Sequence, residues 1–141
     1  MNDNTRCLVF TGRYRIQDPD RLDITRAGCD RARKAGNPAP GEFLAPSTGL
    51  VFPTLEAMKA AKTKADRDRV WSGYVASYRY QMIASYKFRR DEWTALLARP
   101  RVVLVCFCAD PSRCHRTLAA SYLVACGAER GGEIGLKKYA A

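Results

Sequence analysis

Residues 102–108, Val-Val-Leu-Val-Cys-Phe-Cys, are apolar at every position. A strand with one wet face alternates apolar and polar side chains, so an unbroken run this short predicts a strand covered on both faces. The next residues, Ala109 to Ser112, carry turn chemistry, with Asp110 or Ser112 suited to cap a helix and Pro111 suited to its start. A helix then follows to Cys126, with Leu118, Ala119, Tyr122, Leu123 and Cys126 on its buried side and Gly127 as the stop. A buried strand, a short loop and a helix restrict the chain to a small set of α/β arrangements. In open sheets of that kind ligands bind beyond the carboxyl ends of the strands. Cys108, Cys114 and His115 fall at that end, and His115 is the only histidine in the chain.

The remaining elements agree with this. Arg6 to Thr11 reads as a buried strand closed by Gly12, and Arg21 to Thr25 as a short strand with Asp23 turned away from Leu22 and Ile24. Arg26 to Pro53 is rich in Gly and Pro and shows no period, which predicts a long loop or lid over residues 26–53. Helices are expected from Thr54 to about Lys64, from Asp66 to Tyr86 and from Arg89 to Ala98. The second has a stripe running from Val70 and Trp71 to Ile83 and Tyr86 that reads as core, with room for a tyrosine lining a pocket. A short strand is expected at Glu133 to Leu136, with a basic tail starting at Lys137 and Lys138. Together these predict a single three-layer α/β domain over residues 1–141, built on a small, mostly parallel sheet flanked by helices.

Charge narrows the partners. Twenty-four Lys and Arg against 14 Asp and Glu leave a net charge of +10. That balance favours phosphorylated ligands or nucleic acid, although a solubilising surface explains it equally well. No apolar run approaches the roughly 20 residues of a membrane span. The start, MNDNTRCLVF, lacks the pattern of a secretory leader, so a cytoplasmic protein without membrane partners is expected.

The chemistry concentrates between Cys106 and Arg116. Cys106 and Cys108 share one face of the strand. Cys114, His115 and Arg116 fall in the first turn of the helix, where unpaired N–H groups favour anions. A thiol there has its thiolate stabilised, and Arg113 and Arg116 add positive charge. Cys114 is therefore expected to be a nucleophile of low pKa with His115 as proton donor or acceptor. Cys108 is the second candidate thiolate, while Cys106 reads as core. His115 can equally be a core histidine bonded to a backbone carbonyl. A tyrosine-phosphatase-like loop is excluded, because Arg113 stands four intervening residues after Cys108 and six after Cys106 instead of five. Zinc ranks lower, because adjacent Cys114 and His115 on a helix point in different directions, and a tetrahedral site with Cys106 and Cys108 would be strained. No residue is assigned to a metal, and no cofactor is called for.

The element LVCFCADPSRCHRTLAASYL resembles the bacterial and phage family called "domain of unknown function 488", whose members place Cys-x-Cys at a strand end and Cys-His-Arg at the start of a helix. The first half is similar as well, in Thr11-Gly-Arg-Tyr14, in Pro19 to Thr25, and in Phe43 to Ser47, where Leu44 interrupts the usual aromatic-Ala-Pro-Ser element and Thr48 stands in place of tryptophan. The resemblance implies an α/β enzyme without naming a reaction. It implies a site drawn from Thr11, Gly12, Arg13, Asp23, Arg26, Cys108, Cys114, His115 and Arg116, with Gly12-Arg13 and Asp23 to Arg26 facing the same crevice as Cys114.

Three readings follow. The first is a thiol- and histidine-assisted transferase or hydrolase. Cys114, His115 and Cys108 would be catalytic, and Thr11, Gly12, Arg13, Asp23, Arg26, Arg113 and Arg116 would hold a phosphate-bearing small molecule or a nucleotide or nucleic-acid-derived substrate. The second is a basic accessory protein that binds nucleic acid without catalysis. The third is a structural zinc or redox-sensing domain. The sequence leaves the oligomeric state open, a homodimer included.

Overall fold

A computed structural model describes residues 5–108 and 110–135. Four parallel strands form one sheet: β1 (Leu8–Arg13), β2 (Arg21–Asp23), β3 (Arg101–Cys106) and β4 (Glu129–Glu133), in the order β2-β3-β1-β4. Five helices accompany them: α1 (Arg26–Lys34), α2 (Thr48–Ala60), α3 (Lys64–Phe88), α4 (Arg90–Leu97) and α5 (His115–Ala125). This is the expected α/β fold with a small parallel sheet.

The apolar run behaves as its composition dictates. β3 lies inside the sheet, paired to β2 on one edge and β1 on the other, and every residue from Val102 to Cys106 is buried. Alternation sends Val102 and Leu104 to one face, where they join Val9 and Leu22. Tyr78, Met82, Trp93, Leu96, Ala119 and Leu123 from α3, α4 and α5 complete that core. The other face carries Val103 and Val105, both fully buried. The connector after β1 lies over it: Ile16 packs against Gly12, and Arg101 binds Asp18 and Asp20. The Tyr14 hydroxyl donates to Asp23 over 3.0 Å.

Residues 26–53 are not the expected loop. They hold α1, a 3-10 turn over Glu42–Leu44 and the first turns of α2. Glycines hid α1 from a reading of composition. Thr25 caps the helix by accepting from the Gly28 N–H over 2.9 Å. Gly28 is there for space, since a Cβ would fall 1.9 Å from Asp23 Oδ2. The basic run Arg31, Arg33 and Lys34 occupies the last turn of α1, where cations suit the helix dipole. Arg33 also pairs with Glu42. Ser47 precedes α2, and Pro53 lies inside that helix opposite the exposed Gly49, whose carbonyl water can serve. Proline therefore did not end the loop at 53.

The last strand falls earlier than predicted, at Glu129–Glu133. There it pairs parallel to β1, and a register shift between Val9 and Phe10 lets the Phe10 ring pass against Gly131. Leu136 and the basic tail at Lys137 and Lys138 lie outside the described residues. Among the described residues no helix is long and apolar enough to cross a membrane.

Candidate functional site

Three segments meet beyond the carboxyl end of β3: the strand end at Cys106 to Cys108, the loop capped by Asp110, and the start of α5. Asp110 caps a 3-10 turn over Pro111–Arg113 by accepting from Ser112 N–H. Cys114 is the N-cap of α5, with the extended angles φ −142° and ψ 142°. This changes the geometry expected for adjacent helical residues. Cys114 lies outside the helical path, so its side chain turns back to the strand end while His115 begins the helix. The two side chains converge where the helical assumption sent them apart. The sulfurs of Cys106 and Cys114 and a ring nitrogen of His115 all lie within 4.8 Å of one another.

The imidazole is held at both ends. His115 Nε2 is 2.7 Å from the Ile24 carbonyl, which can only accept, so Nε2 carries the proton. Nδ1 then presents its lone pair to Cys106 Sγ at 3.5 Å. His115 is 5 % exposed, and burial pushes its pKa below the ordinary range. The expectation of a core histidine on a backbone carbonyl describes one nitrogen, and the other is aimed at a thiol. An aromatic ladder on α3 backs the ring: Trp71 stacks on Tyr74, Tyr74 on Tyr78, and Tyr78 meets His115 edge-on at 5.8 Å.

The three thiols titrate as a group. The neighbouring Cys106 and Cys114 thiols hold the Cys108 pKa down to about 3 against the opposing effect of burial, and His115 and Arg116 add to the same direction. Cys106 is driven up by the neighbouring Cys108 and Cys114 and by burial. At Cys114 the Cys106 thiol acts to lower the pKa, but Cys108 and burial raise it, to about 11 overall. The low pKa expected at Cys114 thus falls on Cys108. Cys114 is 1 % exposed and surrounded by protein, while Cys108 keeps contact with water.

Three of the four arginines expected to clamp an anion, Arg26, Arg113 and Arg116, are engaged with carboxylates. Arg116 is fully buried and forms a salt bridge with Glu133 at 2.9 Å. It also donates to the Cys108 carbonyl at 2.6 Å and to Cys114 Sγ at 3.3 Å. Burial opposes its charge, yet Glu133 keeps its pKa above the ordinary value. Thr11 joins that pair, donating to Glu133 Oε1 at 2.5 Å. Arg26 pairs with Asp30 and Glu42, and Arg113 with Asp68. Asp23 accepts from Thr25 N–H, from the Thr25 hydroxyl and from Tyr14, bracing the turn that carries Ile24. Gly12 packs against Ile16 inside the sheet.

The cysteines form the floor of a cavity of about 320 Å³. Its walls are apolar: Phe52, Leu55 and Met58 from α2, Trp71 and Tyr74 from α3. Arg26 and Arg113 also line it, as do Cys106, Cys108, Cys114 and His115. Arg13 instead lines a second, larger cleft with Arg15 and Glu133, and Phe107 borders both spaces. Cys114, His115, Cys108, Arg26 and Arg113 are therefore brought together, and Arg13 is not among them.

Cys106 and Glu133 were missed in the sequence. Cys106 had a readable signal, since it shares a strand face with Cys108. Glu133 had none, because a carboxylate after two glycines looks like surface until Arg116 is found against it. The apolar walls from α2 were unreadable while that helix was misplaced.

A family model described as the active DUF488-N3 subclade, DUF488-N3a, matches residues 11–127. No curated protein and no solved structure matches the chain. The matched span covers the carboxyl end of β1, the cysteine cluster, the whole of α5 and every residue named for the cavity above the cysteines, and so the chain belongs to the DUF488 family.

Proposed function

We propose that this protein is an enzyme acting on a nucleotide or a similar phosphate-bearing molecule at a site centred on the Cys108 thiolate. The observation that carries this reading is the convergence of three thiols and one histidine at the floor of an aromatic-walled cavity. A thiolate needs donors to stabilise it and access to its target. Cys108 has its pKa held down by the neighbouring thiols and by the positive charge of Arg116, and it is the least buried of the three. His115 acts through Cys106, whose Sγ lies 3.5 Å from the Nδ1 lone pair, so the ring can take the Cys106 proton without touching substrate. The cavity favours a flat apolar group beside Trp71 and Tyr74, as a nucleobase would provide. Arg26 and Arg113 lie beside it, and a substrate phosphate can share them with their present carboxylate partners. The description of the matched subclade as active is in keeping with catalysis.

Iodoacetamide labelling of chelator-treated protein, mapped by mass spectrometry, tests this. Cys108 is expected to react first near neutral pH, and nucleoside monophosphates to slow that reaction more than orthophosphate does. Equal, slow labelling of Cys108 and the buried cysteines, or no protection by any nucleoside monophosphate, overturns the reading.

A further inference from the structure

The geometry points to a zinc site formed by Cys106 Sγ, Cys114 Sγ and His115 Nδ1, with its fourth coordination position open to the cavity. Zinc takes a tetrahedral set of sulfur and nitrogen ligands at roughly 2.3 Å and 2.0–2.1 Å, which sets neighbouring S and N atoms about 3.5 Å apart. The Cys106 Sγ to His115 Nδ1 distance is 3.5 Å, and the three ligand atoms lie within 4.8 Å of one another. A small contraction closes the set around an ion.

Three independent features prepare the site. First, a histidine that binds a metal donates its other N–H to an acceptor, which fixes tautomer and ring orientation. His115 does this through Nε2 and the Ile24 carbonyl, leaving the Nδ1 lone pair for the ion. Second, two thiolates cancel the ion's double charge, so the bound centre is neutral overall, which suits residues that are 4 %, 1 % and 5 % exposed. Arg116 donates to Cys114 Sγ at 3.3 Å, the contact that steadies a coordinating sulfur. Third, the ligands come from a central strand and from the first residues of a packed helix, so little ordering is left for the metal to impose. Two cysteines and one histidine with an open position make the donor set of a catalytic zinc, and here that position faces the cavity beside Cys108.

This inference goes beyond the thiolate reading and does not depend on it: zinc would occupy Cys106 Sγ, Cys114 Sγ and His115 Nδ1, so the metal-bound and metal-free sites are alternative states and the thiolate reading describes the metal-free one. Metal uptake and Cys108 alkylation are separate measurements, and either can fail alone. Protein stripped with a chelator and dialysed is titrated with Zn²⁺, and in parallel with Co²⁺ as a spectroscopic probe. Expected are one equivalent per chain and a Co²⁺ spectrum with intense tetrahedral bands and charge transfer from two thiolates. Cys114→Ser and Cys106→Ser weaken Zn²⁺ binding tenfold or more, while Cys108→Ser and Cys126→Ser retain it, with circular dichroism confirming that each variant folds. No uptake by the wild-type protein, an octahedral Co²⁺ spectrum, or loss of the metal on Cys108→Ser overturns the site. The Co²⁺ spectrum of the wild type decides the matter even if a ligand variant fails to fold.

Discussion

Removing the Glu133 carboxylate should be among the most damaging single changes in the protein, although Glu133 lies on an edge strand among glycines. Its partner, Arg116, is 0 % exposed and cannot reach water. Breaking a buried pair by deleting one member leaves an uncompensated charge and costs about 3–5 kcal/mol. Glu133→Ala also strips the Thr11 hydroxyl of its acceptor, so the upper half of that range applies. Against a total stability of about 5–15 kcal/mol, this is about a quarter or more of what holds the fold. Urea unfolding followed by tryptophan fluorescence measures it, and a fall in melting temperature on the order of 10–20 °C should accompany it. The double variant Arg116→Met with Glu133→Leu is the control. It removes both charges, so it should lose less than Glu133→Ala alone. A loss below about 1 kcal/mol for Glu133→Ala, or a double variant weaker than the single one, would show that Arg116 has another way to hold its charge. The consequence reaches the site, because Arg116 also holds the Cys108 carbonyl and the Cys114 sulfur.

Three further outcomes are expected. Asp18 has its pKa lowered, chiefly by its hydrogen bond to Arg101, so its contribution to stability is complete above the ordinary 3.8 and is lost as pH falls through the lower folded value. Asp18→Asn should therefore flatten the decline in urea midpoint below pH 4, and an unchanged slope would count against the pairing. Tyr78→Phe removes the 2.6 Å bond to the Leu44 carbonyl and leaves a buried acceptor empty, at about 1–3 kcal/mol in the same urea assay; a loss under 0.5 kcal/mol would mean that water serves the carbonyl. Gly28→Ala should destabilise despite alanine's advantage of about 1 kcal/mol in a helix, since the new Cβ meets Asp23 Oδ2 at 1.9 Å. A thermal melt showing stabilisation would place that carboxylate elsewhere.

The legible parts of the sequence were those fixed by local chemistry. An apolar run flanked by turn residues has one stable use, so β3, its loop and α5 were readable, as was the length of α3, although Ile83 and Cys126, both expected on buried faces, are exposed. The clustering of Cys106, Cys108, Cys114 and His115 near one strand end followed from spacing alone. Helix α1 was not legible, because its glycine looks like a loop residue until Asp23 is seen occupying the space of a side chain. Tertiary structure alone decided which atoms meet. The extended backbone of Cys114 turned its sulfur toward Cys106. The Ile24 carbonyl, contributed from far along the chain, chose the His115 tautomer. Glu133 converted Arg116 from an expected anion clamp into a buried strut. Residue type tells what a side chain can donate, accept or ligate; the partner that claims each atom is set by packing between segments that no local pattern connects.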